Sequence, residues 1–260
     1  MTVAAERWSP ERYLRFASER ARPFRDLLAR VEHPGPRLVA DLGCGPGALT
    51  ASLLERWPDA FVVGVDSSPA MLSRAGRRAR PGRLGFVLAN LVDWSPAETP
   101  DVIVSNATFH WLPNHASLLD RLMGRLAPGG VLAFQVPANE DAPSHRAVAE
   151  LVASEAWRDR LGGTLAPGAR ALEWYVGHLA EVGCEVDAWQ TTYVHILAGD
   201  DAVLRWLEGT TLRPVLAALG PEARFRFLDQ LGERLREAYP RSAWGTPFPF
   251  TRRFVVARRR

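Results

Sequence analysis

Between residues 41 and 48 the chain reads Asp-Leu-Gly-Cys-Gly-Pro-Gly-Ala, an acid followed by three glycines and a proline. A backbone bared of side chains lets a ligand come against its peptide groups, and glycine also adopts backbone angles that other residues resist. Gly43, Gly45 and Ala48 satisfy the G-x-G-x-x-A form of a dinucleotide loop. Three details favour S-adenosylmethionine instead: Asp41 lies two residues before Gly43, a third glycine falls at Gly47, and Pro46 stiffens the turn between them. Asp41 offers an acceptor for an ammonium group or for ordered water. Asp66, 19 residues beyond Gly47, can take both hydroxyls of a ribose in either reading, or can simply cap the helix that follows it.

Such residues act only where a scaffold holds them. Apolar runs at 37–43, 60–66, 83–90, 100–106 and 130–137 are short, rich in Val, Leu, Ile and Phe, and nearly continuous, as strands buried on both faces are. Helical patterns lie between them, as in Leu49, Leu53, Leu54 and Trp57, which share one face. Strand alternating with helix predicts an α/β fold, a parallel sheet wound with right-handed crossovers. Ser68 is a helix N-cap and Pro69 the first helical residue, which puts Asp66 at the carboxyl end of the second strand, where open α/β sheets bind ligands. After residue 137 the alternation stops. Helical regions at 145–182 and 200–239 flank a strand at 184–196, and a last strand covers 248–258; the two strands are expected at the sheet edge as an antiparallel pair, with the helices forming a lid.

Composition narrows the partners. With 260 residues, 47% hydrophobic, the chain can bury a full core. The N-terminal stretch lacks an apolar signal core and no segment is apolar for long enough to span a membrane, so a cytoplasmic protein is expected. Its two cysteines, Cys44 and Cys184, read as small buried residues rather than a disulfide. All 32 basic residues are arginine, against 29 acids. The arginines are dispersed, and codon usage explains them as well as nucleic-acid binding does, so no nucleic-acid partner is expected. No cluster of His, Cys, Asp and Glu has metal-ligand spacing.

The segment from Asp41 to Gly47 together with Asp66 resembles the motifs of the class I S-adenosylmethionine-dependent methyltransferases. That resemblance implies a Rossmann-like, seven-stranded, mostly parallel sheet with an antiparallel edge strand, helices on both faces, and a helical lid built from the N-terminal segment and C-terminal insertions. It implies one domain over 1–260, with the lid in 1–32, the cofactor core in 33–137, and cap helices with the last two strands in 138–260. It further implies that Asp41, Gly43, Gly45 and Gly47 surround the methionine part of S-adenosylmethionine, that Asp66 and Ser67 meet the ribose, and that Met71 walls the adenine. Asn90 and Leu91 would line the adenine edge, and Asn106 would end the fourth strand where cofactor faces substrate. The family often has Asp at the position of Asn90; an asparagine can still accept through its side-chain oxygen.

The stretch after the fourth strand, Ser105 to Asn114, lacks the Asn-Pro-Pro-Tyr type of sequence that DNA amino-methyltransferases place there, and no cysteine is suited to a covalent pyrimidine adduct. The N-terminal segment 8–31, the segments 66–72 and 105–113, the strand 183–195 and the closing 248–259 together resemble the trans-aconitate 2-methyltransferases over nearly the whole chain. This resemblance implies esterification of one carboxylate of a small tricarboxylate by S-adenosylmethionine. Another small acid or an acyl-carrier-protein thioester is the nearest alternative; an RNA methyltransferase or an NAD-dependent oxidoreductase stands further off. A carboxylate is already ionised near neutral pH, so no general base, and no catalytic residue as such, is expected. A tricarboxylate does need cationic partners, and arginine offers a bidentate fork. Arg20, with Arg22 in reserve, is the first candidate, on a helix where Tyr13 and Phe16 share its face; an exposed surface arginine would show the same pattern. Trp8 is as readily a packing residue as a substrate wall. His110 and Trp111 follow the fourth strand, His110 as a donor to substrate or as a structural histidine. Tyr193 and His195 point to one side of a strand, toward either a pocket or the core.

Overall fold

A computed structural model describes residues 17–260. Its first elements alternate as expected: α1 (Ala17–Ala29), β1 (Leu38–Leu42), α2 (Ala48–Arg56), β2 (Phe61–Asp66), α3 (Pro69–Ala75), β3 (Leu84–Leu88), β4 (Val102–Asn106), α4 (His115–Arg125) and β5 (Val131–Pro137). Then come α5 (Pro143–Ala153), α6 (Arg158–Leu161), α7 (Leu172–Glu181), β6 (Cys184–Leu197), α8 (Ala202–Glu208), α9 (Arg213–Ala217), α10 (Pro221–Ala238) and β7 (Thr246–Arg259). Among the described residues seven strands form one sheet, in the order β3-β2-β1-β4-β5-β7-β6.

The five strands of the first half are parallel, and their registers bring the residues of interest to one end of the sheet. Asp41 lies opposite both Gly64 and Val104, Asp66 opposite Leu88, and Asn106 opposite Gln135. β7 runs antiparallel to β5, with Val131 opposite Arg258 and Pro137 opposite Arg252. Along β6, Trp189 stacks on Phe254, Gln190 meets Arg253, and Thr192 meets Thr251. Partner numbers fall as β6 numbers rise, so this pair is antiparallel too.

The chain forms two compact units. One comprises residues 17–137, 169–190 and 252–260, and the other 138–168 and 191–251. In the first, β1, β4 and β5 are buried along nearly their whole length, and Phe134 is gripped between Phe109 (ring centroids 5.1 Å) and Tyr175 (5.2 Å, edge-on). Such pairs add to the area these rings bury. In the second unit α10 packs on α5 and α8, Trp157 meets Phe227 edge-on, and the Trp157 indole N–H donates to Gln230 Oε1 at 2.8 Å. Both cysteines are free and buried. Among the described residues no helix is long and apolar enough to cross a membrane.

Candidate active site

β1 runs into the glycine loop, and the three glycines take positive φ: +78° at Gly43, +54° at Gly45 and +75° at Gly47. Their reasons differ. A Cβ on Gly43 would lie 2.0 Å from Thr108 Oγ1, and one on Gly47 would lie 2.8 Å from the Phe86 ring. At Gly45 a Cβ would meet nothing nearer than Met71 Sδ at 3.9 Å, so this face of the loop is open. Two glycines thus let neighbouring elements close on the loop, and the third leaves room for a ligand beside its backbone.

Asp66 ties this open face to the next helix. Its Oδ2 accepts from the Gly45 N–H at 2.9 Å and its Oδ1 from the Ser68 N–H at 2.8 Å. Each oxygen keeps a lone pair for a hydroxyl, so the carboxylate is aimed and still able to take a diol. Ser68 caps α3 by accepting from the Met71 N–H, Pro69 stands in the first turn, and Met71 is buried behind Gly45. Ser67, between the two anchored residues, is exposed.

Asp41 lies deeper, 2% exposed, and its Oδ2 accepts from the Thr50 hydroxyl at 2.6 Å. Burial pushes its carboxyl up to about 7, with Asp66 adding to the rise and the Thr50 hydrogen bond opposing it. It therefore braces the loop against α2 from below. Burial likewise raises the Cys44 thiol, which keeps it protonated and inert.

After β3, the exposed Asn90 accepts from the Val92 N–H through Oδ1 at 3.1 Å and from Asp93 and Trp94 through its carbonyl, closing a turn; Leu91 within it is buried. At the end of β4, Ser105 Oγ donates to the Leu42 carbonyl at 2.8 Å, locking β4 to β1. Asn106 Oδ1 accepts from Gln135 Nε2 at 2.5 Å, and Ala107, at φ +55°, donates its N–H to the Gln135 carbonyl at 2.9 Å. The 3-10 turn Phe109–Trp111 follows, anchored by fully buried Phe109 and carrying His110 and Trp111 half-buried, with ring centroids 4.9 Å apart.

The glycine loop, Asp66, Ser67, Met71, Asn106, His110 and Trp111 therefore belong to one unit, around the carboxyl ends of β1, β2 and β4. Tyr193 and His195 belong to the other. They share one face of β6, 2% and 9% exposed, and His195 stacks on Trp206 with centroids 4.9 Å apart. Tyr13 and Phe16 lie outside the described residues, as do Trp8 and the side chain of Arg20. Sequence reasoning missed Thr50, Thr108, Gln135 and Arg252. Only Gln135 carried a signal, as the one polar residue in the run Val131–Pro137. Among the described residues no group of three or more His, Cys, Asp or Glu is placed to hold a metal.

The open backbone at Gly45, the aimed carboxylate and the thioether wall fit a nucleoside carrying an amino-acid tail. Residues 39–130 match a family described as a methyltransferase domain. A trans-aconitate 2-methyltransferase of Streptomyces coelicolor is 52% identical over 269 aligned positions, covering 100% of this chain and 89% of the relative. One from Streptomyces avermitilis is 50% identical, covering 99% and 98%. Among solved structures, a Haemonchus contortus phosphoethanolamine N-methyltransferase in complex with S-adenosyl-L-methionine shares the fold at TM-score 0.56 and 15% identity, over 92% of this chain and 52% of that one. A Haloferax volcanii methyltransferase bound to its Trm112 activator does so at TM-score 0.57 and 18% identity, over 96% and 95%.

Proposed function

The chain belongs to the trans-aconitate 2-methyltransferase family of S-adenosylmethionine-dependent enzymes, and we propose the following assignment of its residues to that reaction. It esterifies one carboxylate of trans-aconitate, releasing S-adenosylhomocysteine and a monomethyl ester. Bound in the site, S-adenosylmethionine supplies a methyl group on a sulfonium sulfur, open to attack by an oxygen. Gly43, Gly45 and Gly47 bring their backbone to its methionine part, with Asp41 beneath. Asp66 and Ser67 hold the ribose, Met71 walls the adenine, Asn90 and Leu91 take its edge, and Asn106 stands at the reacting end. The observation that carries this reading is the Asp66 carboxylate, held by the Gly45 and Ser68 N–H groups beside the one of the three loop glycines whose face is open.

A carboxylate needs no base, so the work of the protein is alignment and exclusion of water. Holding oxygen, methyl carbon and sulfur in line contributes an effective molarity on the order of 10⁵–10⁸ M. His110 and Trp111, on a turn pinned by Phe109, are assigned to the acid. So are Arg20 with Tyr13 and Phe16, Arg20 pairing with a non-reacting carboxylate. We place the reaction in the cytoplasm and assign no nucleic-acid partner. The test is product mass after incubation with methyl-labelled S-adenosylmethionine and a panel of acids, acyl-carrier-protein thioesters and RNA. A labelled monomethyl ester of trans-aconitate, formed in preference to all others, is the expected result. Preferred labelling of any other acceptor overturns the assignment.

A further inference from the structure

Arg252, at the first turn of register between β7 and β5, is 4% exposed and donates to Gln135 Oε1 at 2.9 Å. Gln135, 1% exposed, donates in turn through Nε2 to Asn106 Oδ1. The direction of this chain is chemically forced. A guanidinium can only donate, so the Gln135 amide must turn its oxygen to Arg252 and its nitrogen to Asn106, and Asn106 must answer with its oxygen. Asn106 Nδ2 is left facing away from Gln135, and among the described residues it meets no acceptor. It stands at the carboxyl end of β4, beside the strained turn at Ala107 that Gln135 also holds by its carbonyl. We propose that Arg252 and Gln135 are positioning residues that fix Asn106 as an N–H donor to a carboxylate, either of the acid substrate or of the methionine part of the cofactor.

This rests on the methyl-transfer reading, and the test separates the two. In Gln135→Glu the new side chain still accepts from Arg252, so the buried cation keeps a partner, but it cannot donate to Asn106, whose amide must turn over and present its oxygen outward. Steady-state kinetics on trans-aconitate and calorimetry with S-adenosylhomocysteine and 5′-methylthioadenosine, which lacks the carboxylate, read the consequence. A loss of about tenfold to a hundredfold is expected in one place. If KM for trans-aconitate rises while both nucleosides bind as before, the carboxylate is the substrate's. If S-adenosylhomocysteine weakens and 5′-methylthioadenosine does not, it is the cofactor's. Three unchanged values, or equal weakening of both nucleosides, overturns the proposal. Arg252→Lys, which keeps a donor that cannot accept, should preserve the wild-type pattern, whereas Arg252→Met should shift it the same way as Gln135→Glu; this pair decides if Gln135→Glu fails to fold. A wild-type chain inactive on trans-aconitate would count against the assigned reaction and leave the nucleoside pair to decide the relay.

Discussion

At the glycine loop, each residue's role is set by what its neighbours leave open. Asp66 accepts from two backbone N–H groups and still has lone pairs to offer, so Asp66→Ala removes a loop tie and, on the proposed assignment, the acceptor for the ribose diol. S-adenosylhomocysteine affinity should fall about tenfold to a hundredfold, the size of a lost charged hydrogen bond, with a small drop in Tm because water can reach the freed N–H groups. Calorimetry beside a thermal melt checks this; unchanged affinity in a folded variant would take Asp66 out of the ribose site. The glycines give a sharper contrast. Gly43→Ala forces a Cβ to within 2.0 Å of Thr108 Oγ1 at φ +78°, so stability should suffer first. Gly45→Ala adds a methyl to open space and pays only about 1–2 kcal/mol for its left-handed angle, so cofactor affinity should fall further than stability. If the two variants lose stability and affinity in the same ratio, the division of labour among the glycines is wrong.

Between the strands, the turn Phe109–Trp111 is the element that would deliver the two residues proposed to meet the acid. Phe109 is fully buried against Phe134, and the next two residues are left half-buried at the carboxyl end of the sheet. Phe109→Leu should cost about 1–2 kcal/mol by urea melt through a partly filled cavity. It should raise KM for trans-aconitate more than it weakens S-adenosylhomocysteine binding, since the proposed ribose contact is made by Asp66, which is held by Gly45 and Ser68 rather than by this turn. Equal damage to both ligands would deny the turn its own role. The parallel strands were readable to within two residues because apolar runs bounded by Gly, Pro and Asp admit few other structures, and the cap at Ser68 was readable because its spacing to Pro69 is local. The helices after residue 137 break into shorter pieces than their patterns suggested, as at Gly162 and Gly209, where short helices end. Gln135 and Arg252 lie 117 positions apart, and a hydrogen bond between them exists only once β7 is laid against β5. Nothing in the local sequence of either residue announces it.

Across the molecule, every one of the 32 basic side chains is arginine, which stays charged well above the working range, so response to pH between about 4 and 8 falls to carboxylates and six histidines. Two buried groups pull that response in opposite directions, one in each unit. Asp41 is raised by burial from 3.8 to about 7. The folded chain therefore holds a proton that the unfolded chain has lost, and this contribution to stability is full below pH 3.8 and fades as pH rises through about 7. His145, with its ring nitrogens at the Ser144 and Thr211 hydroxyls, is lowered by burial from 6.5 to about 4. Here the unfolded chain takes the proton first, so the contribution is full above pH 6.5 and fades as pH falls through about 4. Wild-type melts blend the two with every surface carboxylate, whereas differences from near-isosteric neutral variants isolate each. The stability of Asp41→Asn relative to wild type should climb from pH 4 to 7, and that of His145→Gln should climb as pH drops from 6.5 to 4. Urea midpoints across this range measure both; a difference curve that is flat, or that slopes the other way, would mean that burial does not govern the ionisation of that residue in the folded chain.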